Sequence, residues 1–480
     1  MKLNKIYIAS AFCLLLATSC SQDRLIESPA YETTIDTAIE NEADMKALLN
    51  GIYNEYQSSS TFGADLLIFG DLISDNVFIT NQSTDSRYRL TAAYNWSQDI
   101  NEFSITRGLY RSIVLANIII NNTKLANTEE VNNMKGEAMI ARAVSYYYLA
   151  SFYSPTPAQG VNQEYGVVLN LENYDATTKL GRSTVMQVYD QIEKDLQGGI
   201  ALMNNLSPIN KGYLSPTAAK LLLSRVYLTR GKQGDAQKAL DYANEVINSA
   251  GSNGFDFVKK DDYQKYFTSN DPLISENQPE TIWEINMGAL AGENPGVNDA
   301  LAAYYSNTGT KKRLLFRNEF YQNFKSTDVR RGLFNPNGTP QEDTPKGVWT
   351  NKYVRTMKDG NFTQNPKIFR MSEAFLNKME ALVKLNREAD ALVELNAFSA
   401  KRGGNAYTSG SLENVLNERK KEFFGEGQRF FDLKRNNLGF ANTTNCSGIC
   451  EIPAGSKLFV FPISQTEMNV NPNMKQYPGY

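Results

Sequence analysis

The sequence of 480 residues contains no histidine. Without an imidazole the chain cannot build a Ser-His-Asp or a Cys-His catalytic group, and nearly all zinc sites are excluded as well. Acid–base chemistry is left to carboxylates, lysine and tyrosine. We therefore expect neither a metal nor a cofactor.

An excess of charge of one sign is also lacking. The chain has 49 basic and 52 acidic residues, a formal net charge of −3. Proteins that bind nucleic acid usually carry a basic excess, so no nucleic-acid partner is expected. Hydrophobic residues make up 41% of the chain and aromatic residues 11%. This is ample for a packed core and excludes global disorder.

Long hydrophobic runs are absent after the first residues of the chain. The longest candidate, from Ile113 to Ile120, is short and contains Asn117, so it cannot span a bilayer. The N-terminus differs, because two lysines precede an apolar run from Ile6 to Ala17 that is followed by small residues. These features are typical of an export signal, and residues 1–19 are predicted to be a signal peptide.

The end of this signal, Leu-Ala-Thr-Ser-Cys20, resembles a bacterial lipobox. The resemblance implies cleavage before Cys20 and acylation of its thiol and amine. Two or more acyl chains would anchor the protein firmly in a membrane. The alternative is an ordinary secretory cleavage site that lies beside a cysteine by chance.

Cysteine is scarce, with four residues in the chain. Cys13 is removed with the signal peptide, which leaves Cys446 and Cys450 in a short polar loop besides the lipidated Cys20. Outside the cytoplasm such a close pair is expected to form a disulfide. Two thiolates alone leave zinc under-coordinated, so a metal site is not expected here.

What is present is a helical repeat pattern. Ser215 followed by Pro216 predicts an N-cap and the first position of a helix. The residues that follow have the spacing of large and small positions in a tetratricopeptide unit: Leu223, Ser224, Tyr227, Ala236, Leu240 and Ala243. Gly231 and Gly234 supply the turn between its two helices.

Similar apolar periodicity recurs along the chain, for example in the capping box of Thr184 and Gln187 with the helix after it. We therefore predict a mainly α fold, a single globule over residues 20–480. A tetratricopeptide-like superhelical scaffold of about four helical pairs is expected mainly in residues 103–154, 183–250 and 370–436. Residues 57–101 and 251–369 are expected to form a loop-rich, irregular ligand-binding face.

Three stretches together resemble the SusD/RagB family of Bacteroidetes surface lipoproteins. They are RAVSYYYLASFY (142–153), NERKKEFFGEGQRFFDLKR (417–435) and FVFPISQTEMNVNPNMKQYPGY (459–480). With the lipobox, the resemblance extends over nearly the whole chain. Its one departure is Tyr477, which stands where the family ending usually has asparagine before the final Pro-Gly.

The resemblance implies a non-enzymatic lipoprotein of the outer membrane that captures a nutrient, usually a glycan. It also implies a SusC-like TonB-dependent transporter as partner, over which the protein acts as a lid. Three alternatives stay open: a peptide ligand in the same role, a carboxylate-dependent glycosidase, and a scaffold that binds other proteins in its helical grooves.

Sugar binding needs flat apolar faces together with planar polar groups. The chain has three tryptophans, and Trp283 is expected in the core. The predicted ligand-binding residues lie in or near the irregular segments: Arg89, Trp96, Asn101, Tyr304, Tyr305 and Trp349. In this interpretation Trp96 and the Tyr304–Tyr305 pair provide stacking surfaces, while Arg89 and Asn101, with Arg87, contact hydroxyls.

Two acidic groups need a separate interpretation. Glu418, Glu422 and Glu426 would share one helical face if the helix continued through Gly425, and a glycosidase needs two such carboxylates. The basic residues between them favour a salt-bridged surface or interface instead. Asp71, Asp75 and Asn76 lack the glycine and the final glutamate of a calcium loop, which favours capping or internal hydrogen bonds.

Overall fold

The protein is described by a computed structural model. The structure describes residues 35–82, 85–204, 210–287, 299–337, 343–354, 356–357, 360–361 and 364–480. The predicted signal peptide and Cys20 lie outside the described residues. No helix in the described ranges is long and apolar enough to cross a membrane.

Helices account for most of the regular structure, which confirms the predicted fold class. They are α1 Glu42–Gln57, α2 Asp65–Leu72, α3 Arg89–Ala92, α4 Ile105–Ile120, α5 Glu129–Tyr153, α6 Val185–Leu202, α7 Pro216–Arg230, α8 Asp235–Asn248, α9 Tyr263–Thr268, α10 Pro272–Ser275, α11 Leu301–Tyr305, α12 Asn318–Gln322, α13 Met371–Lys384, α14 Glu388–Arg402, α15 Leu412–Glu422, α16 Arg429–Arg435 and α17 Gln465–Val470.

The strands are short and pair only two at a time in the described part of the chain. They are β1 Val77–Ile79, β2 Thr281–Glu284, β3 Leu314–Phe316, β4 Phe334–Asn335, β5 Trp349–Thr350, β6 Thr356–Met357, β7 Gly360–Asn361, β8 Lys367–Arg370, β9 Phe440–Ala441 and β10 Glu451–Ile452. Antiparallel pairs form between β1 and β3, β2 and β8, β4 and β5, β6 and β7, and β9 and β10. Trp283 faces Phe369 across the β2–β8 pair and is fully buried, as expected.

The scaffold is a continuous stack of eight helices. The order is α1, α4, α5, α6, α7, α8, α13 and α14, and each helix packs against the next. Successive helical pairs that each pack against the next are typical of a tetratricopeptide-like superhelix, because each pair can bury its apolar stripe only against its neighbours. The capping box at the start of α6 is present, since Thr184 and Gln187 exchange hydrogen bonds with each other's backbone.

The predicted tetratricopeptide unit is the pair α7 and α8. Ser215 caps α7 by accepting a hydrogen bond from the backbone N–H of Ala218, at a distance of 3.2 Å. Gly231 ends the helix in the left-handed conformation, which glycine adopts without a Cβ clash. Ser224 donates to the carbonyl oxygen of Ala239 at 3.0 Å, so a small side chain brings the two helices together.

One segment expected to be loop-rich contains a buried helix. Every residue of α2 is buried, including Asp65 and Asp71. The helix packs against the turn after α15 so closely that a Cβ on Gly70 would lie 1.9 Å from the carbonyl oxygen of Gly427. Apolar residues occur on nearly every side of this eight-residue helix. The sequence therefore lacks the alternation of apolar and polar faces by which a surface helix is predicted.

Candidate functional site

A cleft of about 670 Å³ opens at the end of α5. Its walls are the start of α4, the end of α5, the connection between α5 and α6, and the segment from Pro462 to Met474. Its lining residues are Asn101, Phe103, Thr106, Arg107, Tyr110, Val114, Leu149, Tyr153, Val167, Val168, Asn170, Glu172, Asn173, Tyr174, Asp175, Thr178, Leu180, Arg182, Pro462, Ile463, Ser464, Glu467, Asn471 and Met474. We refer to this site as the cleft.

The floor of the cleft is aromatic and aliphatic. Leu149 and Tyr153 are buried side chains from the last turns of α5. Tyr110 of α4 donates a hydrogen bond to the carbonyl oxygen of Val168 at 3.2 Å. Burial raises the pKa of both the Tyr110 and the Tyr153 hydroxyls, so they remain neutral. Neutral tyrosines provide an apolar ring and a polar end in one side chain.

The first rim of the cleft, residues 166–182, is held in place by a buried asparagine. Asn117 of α4 donates to the carbonyl oxygens of Asn170 and Glu172 at 2.9 and 2.8 Å. Its own side-chain oxygen accepts a hydrogen bond from Arg142 at 2.8 Å. The polar residue within the apolar run from Ile113 to Ile120 therefore fixes the connection between two helices.

Arg182 completes this rim from inside. Its guanidinium donates to the carbonyl oxygens of Gly166 at 2.6 Å, Tyr165 at 2.9 Å and Lys475 at 3.2 Å, and also to that of Tyr153. Burial lowers the pKa of Arg182 to about 10. The side chain therefore ties the first rim to the end of α5 and to the backbone of Lys475.

The second rim is formed by residues 462–474. Asn471 donates to the carbonyl oxygen of Leu180 at 2.9 Å, and Asn473 to that of Lys179 at 2.6 Å. Helix α17 lies on this rim and is capped by Ser464, which accepts from the backbone N–H of Glu467. These two hydrogen bonds cross-link the two rims.

Tyr174 is the feature that points to a ligand. Its side chain is 55% exposed on the first rim, and it is the only exposed aromatic residue in the described ranges. Leu180 on the first rim and Val470 on α17 are further exposed apolar side chains of the two rims. An exposed aromatic ring that lines a cleft together with buried tyrosines is suited to hold a ring with apolar and polar edges.

Of the predicted ligand-binding residues, Asn101 lines the cleft and Trp96 lies behind its wall. Trp96 is 7% exposed, and its ring packs against Phe103 and Phe461 at centroid distances of 5.3 and 5.8 Å. Its indole N–H donates to the hydroxyl of Tyr480 at 2.9 Å. Trp96 therefore supports Phe103, which lines the cleft, and offers no open stacking face itself.

The other predicted residues lie away from the cleft. Tyr304 and Tyr305 are fully buried, and the Tyr304 hydroxyl accepts a hydrogen bond from Arg87 at 2.6 Å. Trp349 is buried between Phe78 and Leu315. Arg89 is exposed at the start of α3. The structure thus differs from the expected stacking platform, because these aromatic rings face the core.

Sequence reasoning missed the tyrosines of the cleft. Tyr110 and Tyr153 have helical spacing and resemble core residues in the sequence. Tyr174 carried a usable signal, because it is a lone aromatic in a run of polar residues from Glu172 to Thr178. Such a residue has no local apolar partner to bury it.

The glutamates considered for catalysis are inaccessible. Helix α15 ends at Glu422, and Gly425 has a φ of 73°, so Glu426 does not continue the helical face. All three belong to a buried set of charges that we name the Glu422 network: Glu280, Asp328, Arg330, Lys352, Arg370, Arg402, Glu418, Glu422 and Glu426.

Ion pairs account for these carboxylates. Glu422 lies 2.7 Å from Arg370 and 2.9 Å from Arg402. Burial opposes ionisation of Glu422, yet Arg402, Arg370 and Arg330 hold its pKa well below the ordinary value. A carboxylate that stays ionised and is closed to solvent cannot act as a general acid on a polymer. The glutamates are salt-bridged as predicted, but they lie in the interior and not on the expected surface.

The acidic group near α2 is also internal. Asp71 accepts a hydrogen bond from Asn76 at 2.9 Å, and Asp75 pairs with Lys420 and Arg429 at 2.8 and 2.7 Å. No group of three or more acidic or cysteine side chains that could hold a metal ion occurs in the described ranges. Away from these groups, the sulfurs of Cys446 and Cys450 are joined in a disulfide.

Comparison with known proteins agrees with this architecture. The SusD family model matches residues 185–480, and a model described as starch-binding and associating with the outer membrane matches residues 27–228. Neither description is of a catalytic family. The SusD-like protein P2 of Formosa agariphila is 25% identical over 519 residues, which cover 98% of this chain and 99% of that protein.

Solved structures show the same fold. A SusD superfamily protein from Bacteroides thetaiotaomicron has a TM-score of 0.81 at 26% identity, covering 91% of this chain and all of its own. Surface glycan-binding protein A from Bacteroides fluxus has a TM-score of 0.72 at 22% identity, covering 92% of this chain and all of its own. With a family model that matches well over half of its length, the chain belongs to the SusD family.

Proposed function

We propose that the protein is a surface lipoprotein that captures an oligosaccharide in the cleft and delivers it to a TonB-dependent transporter of the outer membrane. Family membership supports carbohydrate binding at the outer membrane as the general role. The lipobox at Cys20 supports the lipid anchor. The transporter partner follows from the family resemblance of the sequence.

One observation carries the assignment of the ligand to the cleft, and that is the position of Tyr174. Exposing the apolar ring of a tyrosine to water is unfavourable in free energy. A ligand that covers the ring removes this surface from water and so gains that free energy on binding. Tyr174 lines a cleft large enough for several sugar units, with amides and hydroxyls beside apolar side chains. A sugar ring presents the same combination of C–H faces and hydroxyl edges.

Capture in this site is reversible and needs no catalytic group. The carboxylates that line the cleft lie on its exposed rims, whereas the paired glutamates of the Glu422 network are closed to solvent. The cleft therefore supplies contacts to a bound chain without a buried acid that could protonate a glycosidic oxygen.

The test is affinity gel electrophoresis of the purified protein in gels that contain soluble starch, arabinoxylan, galactomannan or polygalacturonate. We expect at least one of these polymers to retard the parent protein. Tyr174→Ala should weaken that retardation about tenfold, the loss of one stacking contact of about 1.4 kcal/mol.

Leu273→Ala is the matched control, because Leu273 is 85% exposed on α10 and does not line the cleft. This variant should migrate like the parent in every gel. Equal retardation of the parent and Tyr174→Ala would remove the cleft from the site, and free migration in a broad set of polysaccharides would contradict carbohydrate binding.

A further inference from the structure

The charges around the cleft carry information about which glycan enters it. The lining includes three carboxylates, Glu172, Asp175 and Glu467, and two guanidinium groups, Arg107 and Arg182. Glu172 and Asp175 are exposed on the first rim, and Glu467 is exposed on the second. A chain that lies in the cleft therefore meets carboxylates from both sides.

Three carboxylates against two guanidinium groups leave the lining with one negative charge in excess. Arg182 donates four of its five N–H groups to the carbonyl oxygens of Tyr153, Tyr165, Gly166 and Lys475. Its guanidinium is built into the wall and is not positioned as a clamp for an anion. Among the described residues that line the cleft, Arg107, exposed at the start of α4, is the other cation.

Asp175 is held as an anion by its own loop. The Thr177 backbone N–H donates to it at 2.8 Å, and the hydroxyls of Thr177 and Thr178 donate at 2.7 and 2.8 Å. These hydrogen bonds, those of Thr177 first, lower the pKa of Asp175 below its ordinary value. Two lysines are close in sequence to the rims, Lys179 in the first rim and Lys475 just after the second. Their side chains are exposed and do not line the cleft.

We infer that the cleft selects neutral oligosaccharides and rejects glycans that carry uronate or sulfate groups, with Glu172 and Glu467 as the specificity-determining residues. This inference rests on the proposed function. A neutral sugar uses the tyrosine floor and the amides of the lining, and it brings no charge toward the rims. A polyanionic chain would place its negative groups between like charges on both rims, which costs free energy at short distances.

The experiment uses the full mature chain and a charge-reversed variant, Glu172→Lys/Glu467→Lys. In gels that contain polygalacturonate at low salt, the parent should migrate freely. The variant should be retarded, with an affinity at least about tenfold higher than the parent, and added salt should abolish the retardation. Retardation of the parent by a neutral polymer should change little with salt.

Glu388→Lys/Glu413→Lys is the control, because both glutamates are exposed on other helices and neither lines the cleft. A gain of polygalacturonate binding in the first variant but not in the control supports the inference. Equal gain in both variants, or no gain in either, overturns it.

Failure of the inference is distinct from failure of the function. If the parent itself binds polygalacturonate or a sulfated polymer, and not neutral ones, then the cleft does not reject anionic glycans, while carbohydrate binding stands. If the parent binds no polysaccharide of either class, the proposed function fails and the inference fails with it.

Discussion

At the scale of single residues, Asp71 is the most unusual group in the core. It is fully buried, and its carboxylate accepts hydrogen bonds from Asn76 at 2.9 Å and from Tyr305 and the Gly427 N–H at 3.3 Å. No basic group forms an ion pair with it in the described ranges. Burial therefore raises the pKa of Asp71 to about 7.

This shift makes stability depend on pH in a defined direction. In the folded protein Asp71 holds its proton up to about pH 7, whereas in the unfolded chain it loses the proton near pH 3.9. Between these values the folded state binds more protons, so the contribution of Asp71 to the free energy of unfolding falls as the pH rises. The full effect is about 4 kcal/mol at most.

Urea unfolding of the parent and Asp71→Asn at pH 5 and pH 8 measures this effect. We expect the parent to lose more stability than Asp71→Asn between the two pH values. Asp75→Asn is the control, because Lys420 and Arg429 hold the pKa of Asp75 below its ordinary value despite its burial, and this variant should lose as much as the parent. Identical losses in the parent and Asp71→Asn would contradict the assignment.

The residue scale is also where sequence reasoning reached least far. Trp96 looks like a binding residue in its polar loop, yet its hydrogen-bond partner Tyr480 is 384 positions away. Tyr304 and Tyr305 look like a platform, yet they are buried against Tyr88 and Phe316. Whether an aromatic ring faces solvent depends on such distant contacts, which a local pattern does not contain.

At the scale of elements, the Glu422 network joins the scaffold to the irregular segments. Arg370 and Arg402 come from β8 and the end of α14, and Glu422 ends α15. Arg330, which pairs with Glu422, lies in the turn after α12. Glu280, which pairs with Arg370, directly precedes β2. In a buried set of charges such as this, every charge needs its partners, because removing one partner leaves an uncompensated charge in the interior.

We expect Glu422→Gln to lower the free energy of unfolding by about 3–5 kcal/mol, because Arg330, Arg370 and Arg402 would each lose an anionic partner in the interior. Chemical denaturation measures the loss. Glu413→Gln changes an exposed glutamate of the same helix and should cost less than about 1 kcal/mol. A loss in Glu422→Gln no larger than in this control would show that the network is energetically unimportant.

Element starts and ends were predictable where a cap is encoded locally. Ser215 and Thr184 cap their helices as expected, and Gly231 ends α7 in the predicted turn. Helix α2 was missed because it is buried on all sides and shows no periodicity. The sequence pattern did not predict where α15 ends, because the helical face is interrupted at Gly425, whose φ is positive.

At the scale of the whole molecule, the order of helical pairs and the family were within reach of the sequence, and the cleft was not. The repeat spacing and three long motifs describe the scaffold locally. The cleft forms where the connection between α5 and α6 meets residues 462–474, nearly three hundred positions further along the chain. No spacing rule joins these two segments.

Membrane attachment is predicted to depend on Cys20. In cells, Cys20→Ala should move the protein from the membrane fraction to the soluble fraction, because no thiol remains for acylation at the lipobox. Cys13→Ala is the control, since Cys13 lies in the predicted signal peptide and its replacement should have no effect. Membrane association of Cys20→Ala equal to that of the parent would refute the lipid anchor.

The central claim is that a glycan binds in the cleft and leaves it unchanged. Hydrogen–deuterium exchange of the mature protein, with and without the polysaccharide that retards it, tests this most directly. We expect slower exchange in residues 165–182 and 462–474, with the chain length of the polysaccharide unaltered afterwards. Slower exchange confined to residues 85–95 and 299–316, or a shortened polysaccharide, would contradict it.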